Sequence, residues 1–317
     1  MKDNLKIGTR GSRLALWQAR FVAEQLQISH PALSIEIKII ETTGDAQLEK
    51  ALSKIGDKGL FTRQIEEKLL NGEIDLAVHS LKDLPTTLPE NLKIGAVLRR
   101  EKANDVLIAK HYASIDDLPQ MAKVATGSLR RRSQLLNYRR DLQIFEIRGN
   151  VPTRIKKFEE SDLDAMILAF AGVHRLEMDA HITQIISVEL MIPAVAQGVI
   201  GIEIRENDAE IEMVLAKIND AETTDCILAE RSFLRTLEGG CQVPIGGFAT
   251  LKGDEINLSG YTGNLNGEFA LRESIKGNRA DAVALGRELA EKMIAKGANE
   301  LLAETRNIVA ATPETVV

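Results

Sequence analysis

The chain has 317 residues, a formal net charge of −6, 44% hydrophobic and 27% charged residues, and 4% aromatics. That length holds two or three domains, each with its own core, and an acidic balance with few aromatics argues against a nucleic-acid partner. No run approaches the roughly 18 apolar residues of a membrane span, and the amino terminus carries no apolar signal region. With two cysteines, too few for a disulfide framework, a reducing, cytoplasmic setting is expected.

Leu5 to Arg10 reads as a strand that feeds a helix opening at Gly11-Ser12. Such a start leaves backbone N–H groups at the strand's carboxyl end, where an anion binds, with Arg10 and Arg13 beside it. After an isoleucine-rich strand, Ser34 to Thr42, the polar stretch Thr43 to Gly59 carries Lys54 and Lys58 and suits either a solvated helix face or a mobile cover. A helix over Leu60 to Asn71 and the buried strand Ile74 to Ser80 follow, ending in Leu81-Lys82-Asp83-Leu84-Pro85. This places Ser80, Lys82 and Asp83 where open α/β sheets hold ligands, although Asp before Leu-Pro also suits a plain turn.

Strands at Leu92–Leu98 and Asp105–Ala109 flank a polar junction. A second α/β series then repeats the first: Lys123 to Thr126 is a strand, and Gly127-Ser128 opens a helix bearing Arg130, Arg131 and Arg132. Strand Leu142–Ile147 leads to Arg148 and a helix with Arg154, and the buried strand Asp164–Ala171 leads to Arg175. Arginines that repeat at strand ends and first helical turns point to an anionic ligand rather than a solvated charge run. Pro193 to Gly198 precedes a strand at Val199–Arg205, and helices follow at Asp208–Ile218 and Thr223–Leu237. Alternating strands Gly247–Lys252, Glu255–Tyr261 and Glu268–Ile275 imply an antiparallel sheet, covered by a helix through Ala282, Leu285, Leu289 and Met293.

Glu238-Gly239-Gly240-Cys241-Gln242-Val243-Pro244-Ile245-Gly246-Gly247 sets one thiol on a loop, because glycine and proline both oppose a helix there. Cys226 contrasts with it, sharing a helical face with Ala229, Phe233 and Leu237, and reads as core. The five histidines give Cys241 no local base signature and form no metal-ligand spacing with the cysteines, so neither a cysteine hydrolase nor a metal site is expected.

Together GTRGSRLALWQA, HSLKDLP, SLRRR, IRGNVPTR, LAFAGVHRL, PAVAQGVIGIEIR and EGGCQVPIGG closely resemble the porphobilinogen deaminase (hydroxymethylbilane synthase) family, from about Lys6 to Ala249. Ala125-Thr126-Gly127-Ser128 departs from the Gly-Thr-Ser-Ser often found there. The resemblance implies two α/β domains like those of type II periplasmic binding proteins and a third, α+β domain. The expected boundaries are 1–98 with 199–218, 104–192, and 219–317. It implies a dipyrromethane cofactor joined by a thioether to Cys241, and four porphobilinogen molecules added with loss of ammonia before water releases the product. On this sequence it makes Asp83 the catalytic carboxylate. The cofactor and substrate contacts become Arg10, Ser12, Ser80, Lys82, Thr126, Ser128, Arg130, Arg131, Arg148, Arg154, Arg175 and Gln197, with Lys54 and Lys58 in a lid. A monomer that hands its product to a downstream tetrapyrrole enzyme is expected. A non-catalytic binder of carboxylate ligands is the alternative, since the fold alone does not fix function.

Overall fold

The computed structural model describes residues 4–42, 62–238 and 243–311. Cys241, and the Thr43 to Gly59 stretch with Lys54 and Lys58, lie outside the described residues. The chain begins with β1 (Asn4–Thr9), α1 (Arg13–Ser29), β2 (Ser34–Ile39), α2 (Arg63–Leu70), β3 (Leu76–Ser80) and β4 (Leu92–Val97). Next come β5 (Asp105–Ala109), β6 (Lys123–Ala125), α3 (Leu129–Tyr138), β7 (Gln143–Phe145), α4 (Val151–Glu159), β8 (Ala165–Ala169), α5 (Phe170–His174) and β9 (Gln184–Ile185). After these follow β10 (Ile200–Arg205), α6 (Ala209–Leu215) and α7 (Ala221–Thr236). The last stretch holds β11 (Ile245–Lys252), β12 (Glu255–Gly263), β13 (Ala270–Asn278), α8 (Ala282–Ile294) and α9 (Ala298–Ala311).

The described residues fall into two compact units, one built up to residue 101 with 198–224, the other from 102–197 with 225 onward. In the first unit the sheet order is β2-β1-β3-β10-β4. β1 runs parallel to β2 and β3, whereas β10 is antiparallel to both β3 and β4. Side chains alternate across a strand, so Leu76 and Val78 join Leu5, Ile7, Val22, Leu26 and Ile202 in one core layer. Ala77 turns the other way, into a layer with Ile40, Ile65, Leu69, Ile74 and Leu92. α1 packs on β1 and β3, and α2 packs on β3 and β10.

The second unit repeats the pattern, in the order β7-β6-β8-β5-β9: three parallel strands, then antiparallel β5, then β9. Both sheets thus have the strand plan of the type II periplasmic-binding class. The same unit carries the antiparallel sheet β11-β12-β13. Its core gathers Cys226, Ala229, Phe233 and Leu237 of α7 with Leu285, Leu289 and Met293 of α8 and Leu302 of α9. The helical-face reading of Cys226 and the covering helix are as expected. Gly260 on β12 explains the tight fit: a Cβ there would sit 2.6 Å from Phe233 Cζ.

Several element readings change. The strand expected to reach Ala171 ends at Ala169, and Phe170 starts α5 with its N–H donating to Asn104 O. β13 begins at Ala270 because Asn264 to Phe269 form a turn, with Gly267 at φ +74° and the Asn264 side chain accepting from Phe269 N–H. The sequence reading had no counterpart to β9 or α9.

Candidate functional site at the strand ends

In the first unit, adjacent parallel β1 and β3 place their carboxyl ends side by side. Arg10 follows β1, and Ser12 caps α1 by accepting from Ala15 N–H at 3.3 Å. β3 ends at Ser80, after which a single 3₁₀ turn, Leu81–Asp83, displays Lys82 and Asp83. The turn is pinned at its start: Gln18 Nε2 donates to Ser80 Oγ at 2.9 Å, and Leu81 N–H donates to Val199 O at 3.0 Å. Arg10, Ser12, Ser80 and Lys82 are half-buried, and Asp83 is exposed. All five residues predicted for this unit therefore occupy one end of one sheet.

In the second unit β7, β6 and β8 are parallel, and their carboxyl ends lie together in the same way. Thr126 follows β6, its hydroxyl accepting from Ser128 N–H at 3.2 Å, and Ser128 caps α3. After β7 come Arg148, whose Nη2 donates to Glu146 Oε2 at 2.7 Å, and α4, capped by Asn150 and bearing Arg154. Arg175 follows α5 and is buried.

Arg130 and Arg131 differ from the ligand-facing clamps that the sequence suggests. Both are buried on α3 against Asp105 at the start of β5, which is 0% exposed. Arg130 Nη1 lies 2.8 Å from Asp105 Oδ2 and donates to Ile192 O at 2.8 Å. Arg131 Nε and Nη2 reach Asp105 Oδ1 at 3.0 and 2.9 Å, and its Nη1 donates to Ile167 O. Gln197 Nε2 completes the cage, at 2.9 Å from Asp105 Oδ1 and 2.7 Å from Ala103 O. Burial alone would push the Asp105 carboxyl up, but the two guanidiniums override it and hold the group well below the ordinary carboxylate range. Sequence reading missed Asp105 because a lone Asp opening a strand carries no local signal of two arginines brought to it from α3.

The donor set suits a ligand rich in carboxylates. Guanidiniums match a carboxylate's two oxygens, and capped helix starts direct N–H groups outward at a strand end. By fold, then, the protein is of the α/β class with two sheets of like strand order, and its two strand-end clusters are of a chemistry that suits carboxylate groups. The family model for porphobilinogen deaminase, dipyrromethane cofactor binding domain, matches residues 5–213, and that for the carboxyl-terminal domain matches 224–295. The porphobilinogen deaminase of Chloroherpeton thalassium is 52% identical over 310 residues, covering 96% of this chain and 99% of that protein. That of Pelotomaculum thermopropionicum is 48% identical over 306 residues, covering 96% and 98%. Among solved structures, the periplasmic VFT2 domain of Bordetella pertussis BvgS aligns with 13% identity and a TM-score of 0.42, over 73% of this chain and 92% of that one. The chain belongs to the porphobilinogen deaminase family.

Proposed function

We propose that this protein is a transferase that joins four porphobilinogen molecules head to tail, with loss of ammonia, onto a dipyrromethane primer, and releases hydroxymethylbilane by hydrolysis. The carrying observation is the family match over 5–213, the cofactor binding domain, which contains both strand-end clusters. When bound, the dipyrromethane supplies the pyrrole carbon onto which the first substrate is joined. Cys241 holds it through a thioether, the thiolate being the nucleophile that forms such a bond.

The remaining work falls to the chain's own side chains. Arg148, Arg154 and Arg175, with Thr126 and Ser128, bind the acetate and propionate groups, each charge-assisted hydrogen bond contributing roughly 1.5–3 kcal/mol before desolvation. Arg130 and Arg131 add the N–H groups that their buried partners leave over, because a guanidinium has five donors and Asp105 takes some while fixing the planes of both. Gln197 orients Asp105 rather than the ligand. In the first unit Arg10 and Ser12 take a substrate carboxylate, with Lys82 beside them. Asp83 stabilises the positive charge that appears on the pyrrole as ammonia leaves, and again as the attacking ring adds. The separate core clusters of the second unit support a division into a 104–192 domain and a 219–317 domain. The same reading takes the protein as a cytoplasmic monomer that passes its product onward, with Lys54 and Lys58 in a cover.

Intact mass tests the reading. Wild type and Cys226→Ser should carry a mass excess equal to two linked pyrrole units, and Cys241→Ser should lack it while remaining folded. A bare polypeptide mass from protein freshly supplied with porphobilinogen would return the chain to the non-catalytic binder.

A further inference from the structure

The face of the first sheet beneath α2 carries a polar island in an apolar layer. Glu66 of α2, His79 of β3 and Glu203 of β10 are 7, 6 and 0% exposed. Ile65, Leu69 and Ala77 belong to the apolar cluster of that layer. Ala77 stands opposite Glu203 in the antiparallel pair, so His79, two residues on, shares that face. His79 Nε2 lies 3.0 Å from Glu203 Oε2. Among the described residues, neither Glu66 Oε1 nor Glu203 Oε1 has a hydrogen-bond partner.

Two ionised carboxylates and one imidazole cannot neutralise one another in such a layer, and a buried acid without a cation relieves the cost by keeping its proton. Burial raises the Glu66 carboxyl; the Thr62 hydroxyl pulls the other way, the Glu203 charge adds to the rise, and His79 and Arg63 oppose it. The remaining cation nearby on β10, Arg205, is turned to Leu69 O, Ile74 O and Asp208.

We propose that Glu66 is a neutral carboxylic acid in the folded protein, and that with His79 and Glu203 it forms a buried polar network positioning the Ser80 to Asp83 turn. The turn starts one residue after His79, and its first N–H is held by Val199 O, just ahead of β10. Any slip between β3 and β10 therefore moves Lys82 and Asp83. These three are positioning residues, and this half of the proposal rests on the reading of Asp83 as the group that carries the chemistry.

Glu66→Gln keeps the shape of the protonated acid. As pH rises past about 4.3, the unfolded wild-type chain gives up its Glu66 proton while the folded chain holds it, so wild type loses stability that the amide variant keeps. The variant's melting temperature should thus match wild type below that pH and exceed it increasingly above, with kcat within about twofold of wild type. Infrared spectra at neutral pH should show a protonated-carboxyl band in wild type that Glu66→Gln lacks. Glu203→Gln, or His79→Gln should the former not fold, should lower kcat on the order of tenfold to a hundredfold and shift its pH profile, because misplaced catalytic groups are costly. Absence of the infrared band, or a stability difference independent of pH, overturns the neutral acid. Wild-type kcat in whichever of these two variants folds overturns the positioning role. Neither the infrared nor the melting measurement reads turnover, so they stand whether or not Asp83 proves catalytic.

Discussion

Asp83 and Asp105 are two aspartates with opposite surroundings, and those surroundings divide their work. Asp83 is exposed at the tip of a short turn, where a charge costs little and is open to an incoming ligand. Asp83→Asn should bind substrate yet lose roughly 10²–10³ in kcat, since an amide keeps the shape without the charge that stabilises a cation. Steady-state kinetics beside a melting curve decides this, and near-wild-type turnover would leave Asp83 a turn residue. Asp105 is sealed between two guanidiniums, those of Arg130 and Arg131. Arg131→Ala leaves part of a buried charge uncompensated and should destabilise by about 3–5 kcal/mol. Arg148→Ala, which breaks a pair with exposed Glu146, should cost no more than about 1 kcal/mol and yet impair assembly of the cofactor. Denaturant melts of the two variants, run together, separate an arginine whose buried ion pair holds the fold from one whose exposed pair does not.

Among the elements, the antiparallel sheet shows how closely backbone and helix must meet. A Cβ on Gly260 would meet Phe233 Cζ and Cε2 at 2.6 and 2.9 Å and Met293 Sδ at 3.0 Å. Gly260→Ala should therefore lower stability by about 1–3 kcal/mol, and trimming Phe233 to Leu in the same chain should recover part of the loss. Thermal melts of the single and double variants read this directly. Much of this level was legible in advance: the strand-to-helix starts at Gly11-Ser12 and Gly127-Ser128, the apolar face of α7 and the covering face of α8 follow from local pattern alone. Pairing was not. β5 and β10 look like their parallel neighbours in sequence, because a strand buried on both faces is apolar throughout whichever way it runs. Asp105 and Glu203 were missed for the same reason, since each gains its meaning from a partner brought by another element. Gly239 to Gln242, the heart of the most informative stretch in the sequence, lie outside the described residues.

Over the whole molecule, the two buried acid clusters respond to pH in opposite directions. The Asp105 carboxyl is held well below its ordinary value, so its contribution is complete above the unfolded value near 3.9 and is lost as pH falls below it. Glu66 in the other unit is raised, so acid removes a penalty there. Acid unfolding should accordingly begin in the second unit, and hydrogen exchange between pH 5 and about pH 3 should show protection lost around β5 and α3 before β3 and β10. Loss of protection first in the first unit would reverse that assignment. The strand plan also bears on how the chain is made. β10 lies beside β3, yet Glu203 follows its partner His79 by 124 positions, while the second α/β sheet takes all its strands from 105 to 185. A ribosome delivering this chain from its amino end therefore completes the later sheet first. Until β10 emerges, β3 has an open edge on the side where the Asp83 turn will be held, so the strand-end cluster around that turn is among the last parts of the α/β framework to close.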